Sequence, residues 1–216
     1  MAQLFSRDVG RRFRLGLFLG AAALAGLGAL GWNAVMGDRA WGIGLPAPQP
    51  IGFSHALHAG QIGLDCRYCH ATVERAASAG MPAAETCLGC HNQVWNVAAT
   101  FAPLRTALAF GAPVEWRSVH RLPEHARFHH AAHLAKGVGC ATCHGPVETM
   151  ERTVKVRSLS MGWCLDCHRN PGPELRTEAT LWDRAPPPPA PDGGKALVAH
   201  YGIPLHRLDD CSTCHR

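Results

Sequence analysis

Ten cysteines fall into five pairs: Cys66 with Cys69, Cys87 with Cys90, Cys140 with Cys143, Cys164 with Cys167, and Cys211 with Cys214. Each pair is spaced CxxC and followed at once by a histidine, namely His70, His91, His144, His168 and His215. Two thiols one helical turn apart suit the two vinyl groups of one porphyrin, and the next residue can turn its imidazole onto the iron. CxxCH is accordingly the attachment signal of c-type haem. A zinc ribbon also pairs cysteines but has no reason to place a histidine after every pair. Disulfides would not select the same gap five times. Five motifs that consume every cysteine predict five covalent haems, with those five histidines as proximal iron ligands.

Nine histidines remain: His55, His58, His120, His125, His129, His130, His133, His200 and His206. Five irons want five further ligands if all are six-coordinate. Two stretches repeat one pattern, FSHALH from Phe53 and FHHAAH from Phe128, each with a CxxCH seven or eight positions on. On a helix, His130 and His133 lie three apart on neighbouring faces. One iron has a single distal position, so the two point to different haems packed against the same helix. His55 and His58 repeat the arrangement, and Phe53 and Phe128 are expected against a porphyrin face or edge. His120, just before the second repeat, is the expected fifth distal ligand. Met150, Met161 or one of the other histidines could take the place of one of the five.

These ligands must be held by very little polypeptide. From Ile51 to Arg216 the chain has 166 residues for five haems, too few for an ordinary core around each. The fold class expected is therefore mainly α and irregular, with short helices and loops wrapped on haems that form most of the core. Residues 53–184 divide into two dihaem repeats, 53–127 and 128–184. A helix is expected between Val94 and Trp116, ending near Gly111. A proline- and glycine-rich linker at 185–194 leads to a tail, 195–216, with the fifth haem.

The start of the chain is of another kind. Residues 1–14 carry Arg7, Arg11, Arg12 and Arg14, and residues 15–37 follow without a charge. Twenty-three such residues can span a hydrocarbon core, which needs about 20. The run is long for a signal peptide, and NAVMGDRAW is a poor cleavage site. A retained anchor is expected, its N-terminus in the cytoplasm by the positive-inside rule and its haems on the outer face of a bacterial inner membrane. The span is rich in glycine and alanine, with Gly16 and Gly20 forming GxxxG, which suits packing against other membrane subunits. Residues 38–52 are a stiff linker. The formal charge of +5 excludes no partner, because ten haem propionates would largely offset it.

The FxHxxH units resemble those of the cytochrome c3 and c7 group. That resemblance implies that His55 joins His70 on haem 1 and His130 joins His144 on haem 3, while His58 and His133 reach other haems. FSHALH, SAGMPAAETCLGCH, VEWRSVHRLPEHARFHHAAH, GVGCATCHGPVE and MGWCLDCHR, behind an N-terminal anchor, resemble the pentahaem subunit of bacterial alternative complex III. The resemblance implies a relay that takes electrons from integral membrane quinol-oxidising subunits through an iron–sulfur subunit and passes them to a monohaem cytochrome c or other soluble acceptor. No catalytic pocket is expected, since a six-coordinate iron has no open position. Two rival classes are a multihaem reductase with one open haem site and a stand-alone quinol dehydrogenase.

Overall fold

The computed structural model describes residues 6–96, 99–185, 190 and 192–215. The prolines expected in a linker at 186–189 and 191 lie outside the described residues. The chain forms two compact units, Met1–Ile43 and Gly44–Arg216.

The first unit is one long helix, α1, Arg7–Met36. Ser6 caps it, its hydroxyl accepting from the Val9 N–H at 3.4 Å, and Asp8 lies in the first turn where the helix dipole favours a carboxylate. Thirty residues rise about 45 Å, more than the ~30 Å of a bilayer core. The helix has no buried residue, and Phe18, Leu24 and Leu30 are about seven-tenths exposed. It is long and apolar enough to cross a membrane.

The second unit is built of short helices and turns. No strand is present among the described residues, only isolated bridges pairing Ala126 with His215 and Val138 with Leu175. Its α-helices are α2 (Cys66–Cys69), α3 (Ala84–His91), α4 (Ala102–Phe110), α5 (His130–Leu134), α6 (Cys140–His144), α7 (Met161–Arg169), α8 (Lys195–His200) and α9 (Cys211–Cys214). The helix expected between Val94 and Trp116 is confined to α4. Pro103 fits only a first turn, and Gly111 ends the helix in the left-handed region at φ 61°.

Few apolar side chains are buried. Leu104 is 1% exposed and packs with Ile51, Ala84 and Ala107, flanked by Phe101, Val114 and Trp116. Elsewhere the buried apolar residues are Val73, Leu134, Ala141 and Leu175, scattered over the rest of the unit. Four such residues build no second core. Close backbone packing does some of the work: Ala56–Gln61 is a π-helix whose Gly60 would place a Cβ on the Glu148 carbonyl, so no larger residue fits there. π-turns of this kind are frequent at functional sites.

Candidate functional site

All five CxxCH motifs lie at helix C-terminal ends. In α3, α6 and α7 the histidine is the last or next-to-last helical residue; after α2 and α9 it is the cap. The i, i+3 spacing turns both thiols to one side of each helix. The helix starts are set locally. Asp65 accepts from the Arg67 N–H at 2.8 Å to open α2, and the Ser160 hydroxyl accepts from the Trp163 N–H at 3.2 Å to open α7.

The imidazoles share an orientation. Nδ1 of His70 meets the Gly80 carbonyl at 2.7 Å, that of His91 the Val94 carbonyl at 3.1 Å, and that of His168 the Leu208 carbonyl at 2.8 Å. On the FxHxxH units, Nδ1 of His58 meets Ser54 at 2.8 Å, that of His130 meets Ala77 at 2.7 Å, and that of His133 meets His129 at 2.9 Å, again at carbonyls. His55 Nδ1 lies 2.9 Å from the Thr153 hydroxyl. A carbonyl accepts only a proton, so it fixes the hydrogen on Nδ1 and leaves the Nε2 lone pair free to bind a metal.

Three pairs of rings then face each other. His58 and His91 have centroids 6.0 Å apart, His133 and His168 6.1 Å, and His130 and His144 6.3 Å with planes only 9° apart. Two imidazoles sharing one metal at about 2 Å from each nitrogen, with ring centres about 1.2 Å further back, would stand about 6.4 Å apart. The observed separations suit one iron between each pair. His55 lies near enough to His70 for that ring's charge to bear on it. Among the described residues, no three His, Cys, Asp or Glu side chains form a direct metal cage. Pairs of imidazoles are what the fold supplies.

The two FxHxxH units repeat their geometry. Phe53 stacks on His58 at 4.5 Å and meets His55 edge-on at 4.8 Å; Phe128 stacks on His133 at 4.5 Å and meets His130 edge-on at 4.8 Å. The phenylalanines expected against a porphyrin thus clamp the imidazoles themselves. His129 caps α5, its Nδ1 accepting from the Ala132 N–H at 3.4 Å.

His120, the expected fifth distal ligand, stands elsewhere. Its ring is 4.3 Å from that of His144 and nearly perpendicular to it, too close for an iron between them. His125 lies 5.7 Å from His215, but its own carbonyl accepts from His215 Nδ1 at 3.3 Å. One residue cannot place its carbonyl and its ring on opposite sides of a flat group, so a haem held by His215 would have the His125 ring on its proximal side. His200 Nε2 is taken up by the Glu178 carboxylate at 3.0 Å. Met161 is 61% exposed at the start of α7.

Burial dominates the electrostatics. It holds His144 down at about 3 and His55 at about 4, neighbouring imidazoles adding to the effect, and it also lowers His120 and His133. Burial pushes the Cys143 thiol up to about 12 and Cys167 up to about 11. Three buried polar atoms have no protein partner among the described residues: His120 Nε2, Thr142 Oγ1 and Arg176 Nε. All three surround the third motif. Thr142 lies inside it, His120 touches His144, and Arg176 would collide with a Cβ on Gly139, the residue before Cys140. Orphaned polar atoms around a motif with a neutral buried imidazole fit a bound polar group, as haem with its propionates is.

No family model matches the chain. It is 34% identical over 97 residues to the menaquinone reductase multiheme cytochrome c subunit of Nitratidesulfovibrio vulgaris (strain Hildenborough). The match covers 44% of this chain and spans 45% of the relative's length. Motifs, facing imidazoles and relative together support a multihaem cytochrome c with covalently bound haem.

Proposed function

We propose that this chain is a membrane-anchored pentahaem cytochrome c that relays electrons within a quinone-linked complex. The observation that carries the reading is the set of facing rings, His58 with His91, His130 with His144, and His133 with His168. In each, a motif histidine and a distal histidine would hold one iron from both sides. His55 and His70 would hold another in the same way. Cys66, Cys69, Cys87, Cys90, Cys140, Cys143, Cys164, Cys167, Cys211 and Cys214 would anchor five haems, and His215 would be proximal to the fifth. His120 is replaced in this scheme as a ligand and becomes a neighbour of His144. Bound haem supplies a one-electron ferric/ferrous couple. At four of the haems these pairs would fill both axial positions, with most of the imidazoles held through Nδ1, whereas the fifth has His215 alone assigned to it.

The resemblance to alternative complex III favours a relay from quinol-oxidising membrane subunits and an iron–sulfur subunit to a cytochrome c or other soluble acceptor. Residues 15–37 would anchor it in a bacterial inner membrane, with residues 53–184 and the 195–216 tail on the outer face. A second reading has one specific support, the name of the relative: a menaquinone reductase draws electrons toward the quinone, along the same relay in reverse. Purification of the tagged chain from its native membranes decides between these and the lone-protein readings. Integral membrane subunits should copurify, intact mass should exceed the chain by five haem masses, and quinol should reduce the haems. Reduction by a soluble donor with electrons passing on to quinone supports the reverse direction. A lone chain active by itself sinks the subunit reading.

A further inference from the structure

The chain order of the five motifs is not their order in space. Most contacts between motif regions join four pairs, and the fifth motif is also bridged to the segment leading into α5, through Ala126 with His215 and Arg127 with Cys214. His55 and His58 share one turn, and a Cβ on Gly89 of the second motif would stand 3.5 Å from the Tyr68 hydroxyl of the first, which puts the second site beside the first. Ala77, from the loop after the first motif, receives His130 Nδ1–H, while Thr153, from the loop after the third, bonds His55. The first site therefore lies against the third.

The third and fourth sites share α5, through His130 beside His144 and His133 beside His168. The fourth adjoins the fifth: Leu208 receives His168 Nδ1–H, and Arg169 reaches Asp209 at 3.4 Å.

We propose that the haem sites form one unbranched line in the order second, first, third, fourth, fifth, so that electrons enter and leave at the second and fifth. Exposure follows the same order. Cys90 of the second motif and Cys211 of the fifth are the exposed cysteines, and the other eight are half-buried. Ala141 and Thr142 of the third motif are buried outright, as the middle of a line should be. Each internal transfer moves one electron from a ferrous to the adjacent ferric iron. The reductant and oxidant at the ends are the quinol-linked donor and the soluble acceptor of the reading above, on which this order rests.

The test uses the full-length protein in detergent. In the fully reduced, diamagnetic state, nuclear Overhauser contacts between haem substituents report which edges adjoin, with no substitution needed. Potentiometric titration then gives pairwise interactions, with signals assigned through His58→Met, His55→Met, His130→Met and His133→Met, each of which shifts one potential upward. Expected are contacts and strong interactions for second–first, first–third, third–fourth and fourth–fifth, with second–fifth the weakest. Five low-spin haems with a strong third–fifth or second–fourth coupling, or with no first–third contact, overturn the order while leaving the pentahaem reading intact. Fewer than five covalent haems overturn both.

Discussion

The imidazoles of His130 and His144 lie parallel to within 9°, centroids 6.3 Å apart, although one opens α5 and the other closes α6. His133, one turn from His130, faces His168 instead. Two adjacent positions on one short helix thus look toward different motifs. His130→Ala and His133→Ala should each create one high-spin haem that binds carbon monoxide, and the double variant should bind one more equivalent than either. A double variant with no additional site would show that both serve one iron.

His120→Ala should create no carbon monoxide site. It removes an edge-on ring contact of about 0.5–1.5 kcal/mol but also a buried nitrogen without a protein partner, whose burial costs about 1–3 kcal/mol. Denaturant unfolding should therefore change little or shift toward greater stability. A new carbon monoxide site in this variant would restore His120 as a ligand.

Thr153→Val deletes the group that orients His55. Loss of such an outer partner weakens metal ligation about 10–100-fold in other sites. Added carbon monoxide should displace His55 at the first haem correspondingly more readily, while the third haem, whose His130 leans on Ala77, stays as it was. Equal sensitivity at both haems would mean general loosening instead.

Acid should destabilise the fold in a defined window. Burial holds His120, which lies off the irons in the reading above, below its ordinary value of 6.5, whereas the unfolded chain protonates it near 6.5. Below that value the unfolded state binds more protons, so stability falls as pH drops through 6.5. Denaturant midpoints at pH 7, 5.5 and 4 should decline in that order; a rise on acidification is the contrary result.

The α1 helix should keep the protein in membranes. After an alkaline carbonate wash the haem signal should remain with the pellet, and the N-terminal sequence should begin at or beside Met1. Release into the supernatant, with a start near Arg39, would mark a cleaved leader.

The five CxxCH motifs stand out in the sequence because their spacing is local, and the structure places each on one turn of helix. The apolar run was legible for a similar reason: α1 depends on local composition. His120 was not. A distal ligand is chosen by which loop lies opposite a motif, and proximity to the second repeat does not determine that. Phe53 and Phe128 pack on the histidines two and five positions on, within their own unit, a contact that the sequence reading did not include. The α4 helix was placed correctly at its end, where Gly111 acts locally, and too early at its start.

The crossed bonds between the halves set a timetable for maturation. His130 finds its Nδ1 partner 53 residues earlier in the chain, while His55 must wait for Thr153, 98 residues later. As the polypeptide emerges from its N-terminal end, the first motif can receive its haem long before the residue that steadies His55 exists. The opposite holds for His130, whose support is already made. On the pentahaem reading proposed above, the first haem would thus be the first attached and among the last to gain a settled axial ligand.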